Sequence, residues 1–285
     1  MKKDNKHLNQ IIGQETIKNH IMKVFDIFVR TGGFIKPHFI MTGGSGTGKT
    51  FIVSQLSKAA QIPVLNVNAS QITKEGISGN SLSKVLRPIA GYKGRPCICF
   101  IDEFDKLFIT GNGNQKTQQE LSSVQNELLK IVEDDTTEVY DDYGKYMTID
   151  ISRVLFIFAG AFNGDVVNVE YLLNAGVKTE FLGRVNLIFR TDPIDLEKII
   201  SSLNKNVLLK AYKKLYPDIK VDDVIDELKP AIVKNHTANR FGLRMINSLI
   251  HEYFIFDGLE NAKKEEKRYI DKFVDSSFAT NVDIF

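Results

Sequence analysis

The residues Gly43-Gly44-Ser45-Gly46-Thr47-Gly48-Lys49-Thr50 have the types and spacing of a phosphate-binding loop. Glycines there permit positive φ and let backbone N–H groups come close to phosphate oxygens. Lys49 can then reach the β and γ phosphates, and the Thr50 hydroxyl can ligate Mg²⁺. The candidate nucleotide contacts are Gly44, Ser45, Gly46, Thr47, Gly48, Lys49 and Thr50, with Phe51 behind them. A second constellation, Asp102-Glu103, ends the apolar run Cys97-Ile98-Cys99-Phe100-Ile101. Asp102 is placed to hold the Mg²⁺ shell beside Thr50, and Glu103 to orient and polarise an attacking water. An acidic pair after a strand is often only a helix cap. Downstream of a complete phosphate loop it reads as the partner that makes hydrolysis of a nucleoside triphosphate possible.

Such a site needs strands to aim the loop and the acids at one place. Short apolar, β-rich runs fall around 38–42, 63–67, 97–102, 153–159 and 186–190, separated by helix-compatible segments. This alternation predicts an α/β fold, a five-stranded parallel sheet covered by helices on both faces, with the ligand at the carboxyl ends of the strands. The helix after the loop would point its positive dipole end at the triphosphate. From Pro193 onward the pattern changes to helical repeats: Leu196, Ile199, Ile200 and Leu203, then Val207, Leu208 and Tyr212. The expected organisation is a large αβα domain over 1–193 and a small helical domain over 194–285. The acidic groups Glu133-Asp134-Asp135 and Asp141-Asp142 read as loop.

Composition narrows the class further. The chain has 285 residues, of which 43% are hydrophobic, enough for one large core or two modest ones. Its 37 basic and 35 acidic side chains leave a formal charge of +2, which demands neither nucleic acid nor an anionic membrane. There is no secretory leader at Met1-Lys2-Lys3 and no apolar run of membrane-spanning length, so a soluble cytoplasmic protein is expected. Cys97 and Cys99 flank Ile98 on an expected buried strand, where they read as small core thiols rather than a disulfide or zinc pair.

Several segments, in order, resemble one family. They are Ile11-Ile12-Gly13-Gln14-Glu15, the phosphate loop, Ile101-Asp102-Glu103-Phe104-Asp105-Lys106, Val124–Glu133, Val154–Phe162, Thr179-Glu180-Phe181-Leu182-Gly183-Arg184 and Arg240-Phe241-Gly242-Leu243-Arg244. This is similar to the AAA+ ATPases, specifically the Clp/HSP100 branch of ClpX and HslU, over about residues 8 to 255. The resemblance implies a large ATPase domain and a small helical lid. It implies that Ile12 and Gly13 line an adenine pocket, favouring ATP over GTP, and that Arg184 is a finger reaching a neighbouring subunit's γ-phosphate. It also implies that Arg244 is the sensor-2 arginine of the small domain. A guanidinium can neutralise charge on the transferring phosphoryl group, and supplying it from a neighbour makes turnover depend on assembly. The sensor-1 position stays open between Ala159-Gly160-Ala161, which offers no side-chain donor, and Asn163.

The chain also departs from the family pattern. Where the family's first pore loop carries an aromatic residue, Gly76-Ile77-Ser78-Gly79 has isoleucine, which lacks the large flat surface an aromatic would give a threaded polypeptide. No ClpP-docking tripeptide lies between Phe162 and Arg184, so ClpP is not an expected partner, and a zinc-binding domain ahead of the ATPase motifs is not expected either. The expected function is an ATP-driven, Mg²⁺-dependent homo-oligomeric ring, hexameric by family analogy, that remodels, unfolds or disassembles a protein complex. The alternative is a nucleotide-switched assembly or loading factor, possibly on DNA, that threads no chain. No helix-turn-helix, finger or basic stripe supports nucleic acid as a partner.

Overall fold

In chain order the strands are β1 (Phe39–Thr42), β2 (Val64–Asn68), β3 (Cys97–Asp102), β4 (Thr136–Tyr140), β5 (Tyr146–Asp150), β6 (Val154–Ala159) and β7 (Leu187–Arg190). The computed structural model describes residues 5–72, 81–108, 115–140, 145–162, 167–238, 244–265 and 267. Strands β1, β2, β3, β6 and β7 form one parallel sheet in the order β2-β3-β6-β1-β7. These are the five runs expected from sequence. The three central strands β1, β3 and β6 are buried almost throughout, and the edge strands β2 and β7 are partly exposed. A sheet covered on both faces requires the continuous apolar runs that Cys97–Ile101 and Val154–Ala159 display.

Helices α1 (Asn5–Leu8), α2 (Glu15–Arg30), α3 (Lys49–Ala60), α4 (Leu82–Leu86), α5 (Gln115–Glu133), α6 (Val169–Asn174) and α7 (Thr179–Arg184) accompany the sheet. Alternation along the strands splits the core in two. Ile98 and Phe100 of β3, with Phe39 and Met41 of β1, pack under α2 and α3, which contribute Ile21, Phe25, Phe28, Ile52 and Leu56. Cys97, Cys99 and Ile101 face the other way, onto Leu82 of α4, Leu128 of α5, Leu172 of α6 and Phe181 of α7. The two cysteines thus share one face, as period-two geometry requires, and both are free, buried thiols. Burial pushes the Cys97 thiol up to about 12 and raises Cys99 as well, so both are unreactive core residues.

The antiparallel β4–β5 hairpin was not among the expected strands. Its buried Val139 and Ile149 join the core on the α5 side, while most of its other residues are exposed. Of the segment read as acidic loop, Glu133 ends α5, Asp134 and Asp135 connect to β4, and Asp141-Asp142 lie outside the described residues.

The chain divides into two compact units, Met1–Pro193 and Ile194–Phe285. The second is helical where described, with α8 (Leu196–Ser202), α9 (Val207–Leu215), α10 (Val221–Ala238) and α11 (Arg244–Ile255). Asn206 caps α9, its side-chain oxygen accepting from Leu208 N at 2.8 Å and Leu209 N at 3.1 Å. Val224, Leu228 and Ile232 of α10 and Ile246 and Ile250 of α11 supply its buried side chains, and Tyr212 stacks on Phe254 at 4.3 Å between ring centres. No described helix is long and apolar enough to cross a membrane.

One buried polar group makes the fold sensitive to pH. His38, at the entry to β1, accepts the Phe156 N–H on Nδ1 at 3.0 Å, a bond that requires the neutral imidazole. Burial, assisted by the charge of Lys36, lowers its pKa from 6.5 to about 4. Between those values the unfolded chain takes up a proton that the folded ring refuses. Stability is therefore full above the unfolded value and is lost as pH falls through the window. Urea unfolding at about pH 7.5 and about pH 5 should show wild type losing about 2 kcal/mol more than His38→Gln. Equal losses in the two proteins would contradict this account.

Candidate nucleotide site

Parallel register brings the carboxyl ends of the strands level, with Asn68 opposite Asp102 and Thr42 opposite Arg190. The sheet order places β6 between β1, which launches the phosphate loop, and β3, which carries the acids. Gly43, Gly46 and Gly48 have φ of 131°, 80° and 92°, so the loop turns through conformations that suit glycine. Gly48 is the left-handed residue from which α3 starts. Gly44, Ser45 and Thr50 are exposed, Phe51 is 42% exposed on the first turn of α3, and Thr47 and Lys49 are buried. Lys49 Nζ donates to the carbonyls of Gly43 at 2.6 Å and Gly44 at 3.0 Å, which holds the ammonium over the loop.

The second constellation meets the first. Thr50 Oγ1 donates to Asp102 Oδ2 at 2.7 Å, and the Glu103 N–H donates to Asp102 Oδ1 at 2.9 Å. Glu103 itself adopts φ of 56° and is exposed. A left-handed backbone at a residue with a side chain costs about 1–2 kcal/mol, and here it turns the chain from β3 directly into the Phe104–Leu107 turn. Thr50 and Asp102 are hard oxygen donors side by side, which suits Mg²⁺. Among the described residues no group of three or more His, Cys, Asp or Glu could hold a metal by itself. A magnesium ion here would complete its shell with phosphate and water oxygens, its usual preference.

The remaining candidates are distributed as follows. Ile12 and Gly13 lie between α1 and α2, with Gly13 at φ 67°. Arg184 ends α7, is 60% exposed in its side chain, and its Nε lies 3.1 Å from Glu133 Oε1. Glu133 sits at the carboxyl end of α5, where its charge opposes the helix dipole and a guanidinium offsets it. Arg244 opens α11 in the second unit, and its side chain lies outside the described residues. Asn163 and the Gly76-Ile77-Ser78-Gly79 segment also lie outside them.

Three residues brace the site through partners that their own place in the sequence does not reveal. Thr191, just after β7, bonds both to the end of β1 and to the phosphate loop. Gln14 is buried, its Nε2 donating to the Asp192 carbonyl at 2.6 Å and its Oε1 accepting from the Asp192 N–H at 3.4 Å. It ties the Ile12-Gly13 segment to the chain leaving β7. Asp105, 2% exposed, accepts the Ala161 N–H on Oδ1 at 3.2 Å. The approach is so close that a Cβ on Gly160 would fall 2.8 Å from Asp105 N, so the segment after β6 needs glycine there. These pairs span 178 and 56 residues of sequence, and only folding reveals them.

A family model described as "ATPase family associated with various cellular activities (AAA)" matches residues 39–167, from β1 to the segment after β6. The "ATP-dependent Clp protease ATP-binding subunit ClpX" of Bacteroides thetaiotaomicron is 26% identical, over 93% of this chain and 79% of that protein. The same-named protein of Porphyromonas gingivalis is 26% identical, over 86% of this chain and 70% of that one. The "ATP-dependent Clp protease ATP-binding subunit ClpX 2" of Wolinella succinogenes is 26% identical, over 81% and 68% respectively. Residues 39–167 thus carry the AAA ATPase match, and a parallel αβα sheet, a complete phosphate loop and the acids opposite it give this segment the parts that ATP hydrolysis needs. Over most of its length the chain is similar to these ClpX proteins.

Proposed function

We propose that the chain is one subunit of an ATP-driven homo-oligomeric ring, hexameric as in its class, that remodels, unfolds or disassembles a protein complex in the cytoplasm. The observation that carries this reading is the 2.7 Å bond between Thr50 Oγ1 and Asp102 Oδ2, which joins the phosphate loop to the acidic strand end. Residues 44–51 bind the nucleotide phosphates and Ile12 with Gly13 the adenine. Thr50 and Asp102 would hold Mg²⁺, which supplies charge neutralisation on the phosphates when bound. Lys49 neutralises the β and γ phosphates, and Glu103 accepts a proton from the attacking water, which its exposed position after Asp102 suits. Arg184 serves the neighbouring subunit and Arg244 acts as the sensor of the small domain. Residues 1–193 form the ATPase domain and 194–285 the helical lid.

The exposed Arg184–Glu133 pair supports the finger role. Exposed ion pairs are worth about 0–1 kcal/mol, so exchanging Glu133 for a partner's phosphate costs little. A head-to-tail contact that uses unlike surfaces on each subunit can close into a ring. The curated relatives are named as subunits of the Clp protease. We infer that this chain works without ClpP, since no docking tripeptide lies between Phe162 and Arg184. Ile77, in place of an aromatic pore residue, favours a second reading, a nucleotide-switched assembly factor that threads nothing.

Capture on the Glu103→Gln protein with ATP separates them. A bound unfolded polypeptide supports the remodeller, a stable folded partner the switch, and a DNA fragment would overturn both in favour of a nucleic-acid-acting motor.

A further inference from the structure

Thr191 is 1% exposed and lies beside the phosphate loop from the far end of the sequence. Its N–H donates to the Thr42 carbonyl at 2.8 Å, and its Oγ1 lies 3.0 Å from that same carbonyl. It is also 2.6 Å from Thr47 Oγ1. Thr47 Oγ1 in turn lies 2.9 Å from the Gly44 carbonyl, which also accepts from Lys49 Nζ at 3.0 Å. A hydroxyl has one proton to donate, so two hydroxyls cannot fill all three contacts at once. In one arrangement Thr191 donates to Thr42 and Thr47 donates to Thr191. In a second, Thr191 donates to Thr47 and Thr47 donates to Gly44. A third, with Thr191 donating to Thr42 and Thr47 to Gly44, leaves two oxygens 2.6 Å apart with no proton between them, which is repulsive. The first two keep the threonines bonded to each other, and the second adds a donor to the carbonyl that helps hold Lys49.

We propose that Thr191 is a positioning residue of the nucleotide site. Through Thr47 it fixes the turn of the phosphate loop, and through the Gly44 carbonyl it bears on where Lys49 sits. This rests on the reading of Gly43–Thr50 as the nucleotide site. The backbone around Thr191 has supports independent of the hydroxyl, in its own N–H bond to Thr42 and the clasp of Gln14 on Asp192. Removing the hydroxyl alone should therefore loosen the loop without unfolding the domain.

Thr191→Val keeps the shape and removes the hydroxyl, while Thr191→Ser keeps the hydroxyl and removes the methyl. Calorimetric ATP binding and steady-state hydrolysis with Mg²⁺ should show Thr191→Val raising Kd and KM about fivefold to tenfold, the loss of one or two buried hydrogen bonds, with kcat within about twofold. Thr191→Ser should restore both to within about twofold. The role is overturned if Thr191→Val binds as wild type does, if Thr191→Ser binds as poorly as Thr191→Val, or if the weakened binding merely tracks unfolding at the assay temperature. Wild type that binds no better than Lys49→Ala would remove the nucleotide site and this role with it. Normal wild-type binding beside an unaffected Thr191→Val removes only the role of Thr191.

Discussion

Glu103→Gln should bind ATP within a few-fold of wild type and release phosphate about 10²- to 10⁴-fold more slowly, the range expected when a general base is lost. The expectation follows from where the residue sits. Its N–H is anchored on Asp102 Oδ1 at 2.9 Å, its backbone is turned left-handed at φ 56°, and its side chain is exposed at the strand ends. Glutamine matches the carboxylate in size and leaves Asp102, Thr50 and the loop untouched, so binding survives while the proton acceptor is gone. Phosphate release measured in a coupled assay, with binding followed separately by calorimetry, reads the two effects independently. Steady-state hydrolysis equal to wild type would remove the assigned role.

Gly43→Ala should damage both the fold and the site. A Cβ at Gly43 would lie 2.2 Å from Thr191 Oγ1 and 2.4 Å from the Thr191 carbonyl oxygen, and φ of 131° is a conformation L residues rarely adopt. The side chain of Thr191 can rotate, but its carbonyl is backbone and cannot move away without pulling β7 from β1. Overpacking and backbone strain together amount to about 2–5 kcal/mol, shared between lower stability and a displaced loop. The urea midpoint should fall and ATP affinity should drop more than tenfold, which takes about 1.4 kcal/mol of that total. Gly44→Ala is the internal comparison. A Cβ there meets only Thr47 Cγ2, at 3.9 Å, so its unfolding free energy should stay within about 0.5 kcal/mol of wild type. Unchanged melting and binding in Gly43→Ala would contradict the geometry.

The parts of the fold legible in sequence were those written by local chemistry. Continuous apolar runs such as Val154–Ala159 announce a strand buried on both faces, and a glycine-rich loop followed by Lys49-Thr50 announces its own conformation. The β4–β5 hairpin escaped because only Val139 and Ile149 among its described residues are buried, so the apolar signal is thin and acidic neighbours dominate the reading. The meeting of Thr50 with Asp102 was foreseen because the roles demand it. The braces at Thr191, Gln14 and Asp105 were not, because each is an ordinary polar residue whose partner lies far along the chain. Gly160 shows the same limit, since its need for a missing Cβ is set by the backbone of Asp105 rather than by any turn of its own.

The claim that most needs a direct measurement is that a neighbour completes each ATP site. Arg184→Ala retains its own phosphate loop and lacks the finger, while Lys49→Ala lacks nucleotide binding and keeps the finger. Each alone should hydrolyse ATP poorly. In a one-to-one mixture that co-assembles, roughly a quarter of the head-to-tail interfaces pair an intact loop with an intact Arg184, so phosphate release should rise well above the sum of the separate proteins. Mixtures shown to contain both variants in one assembly, yet no more active than the two measured apart, would contradict a site finished in trans.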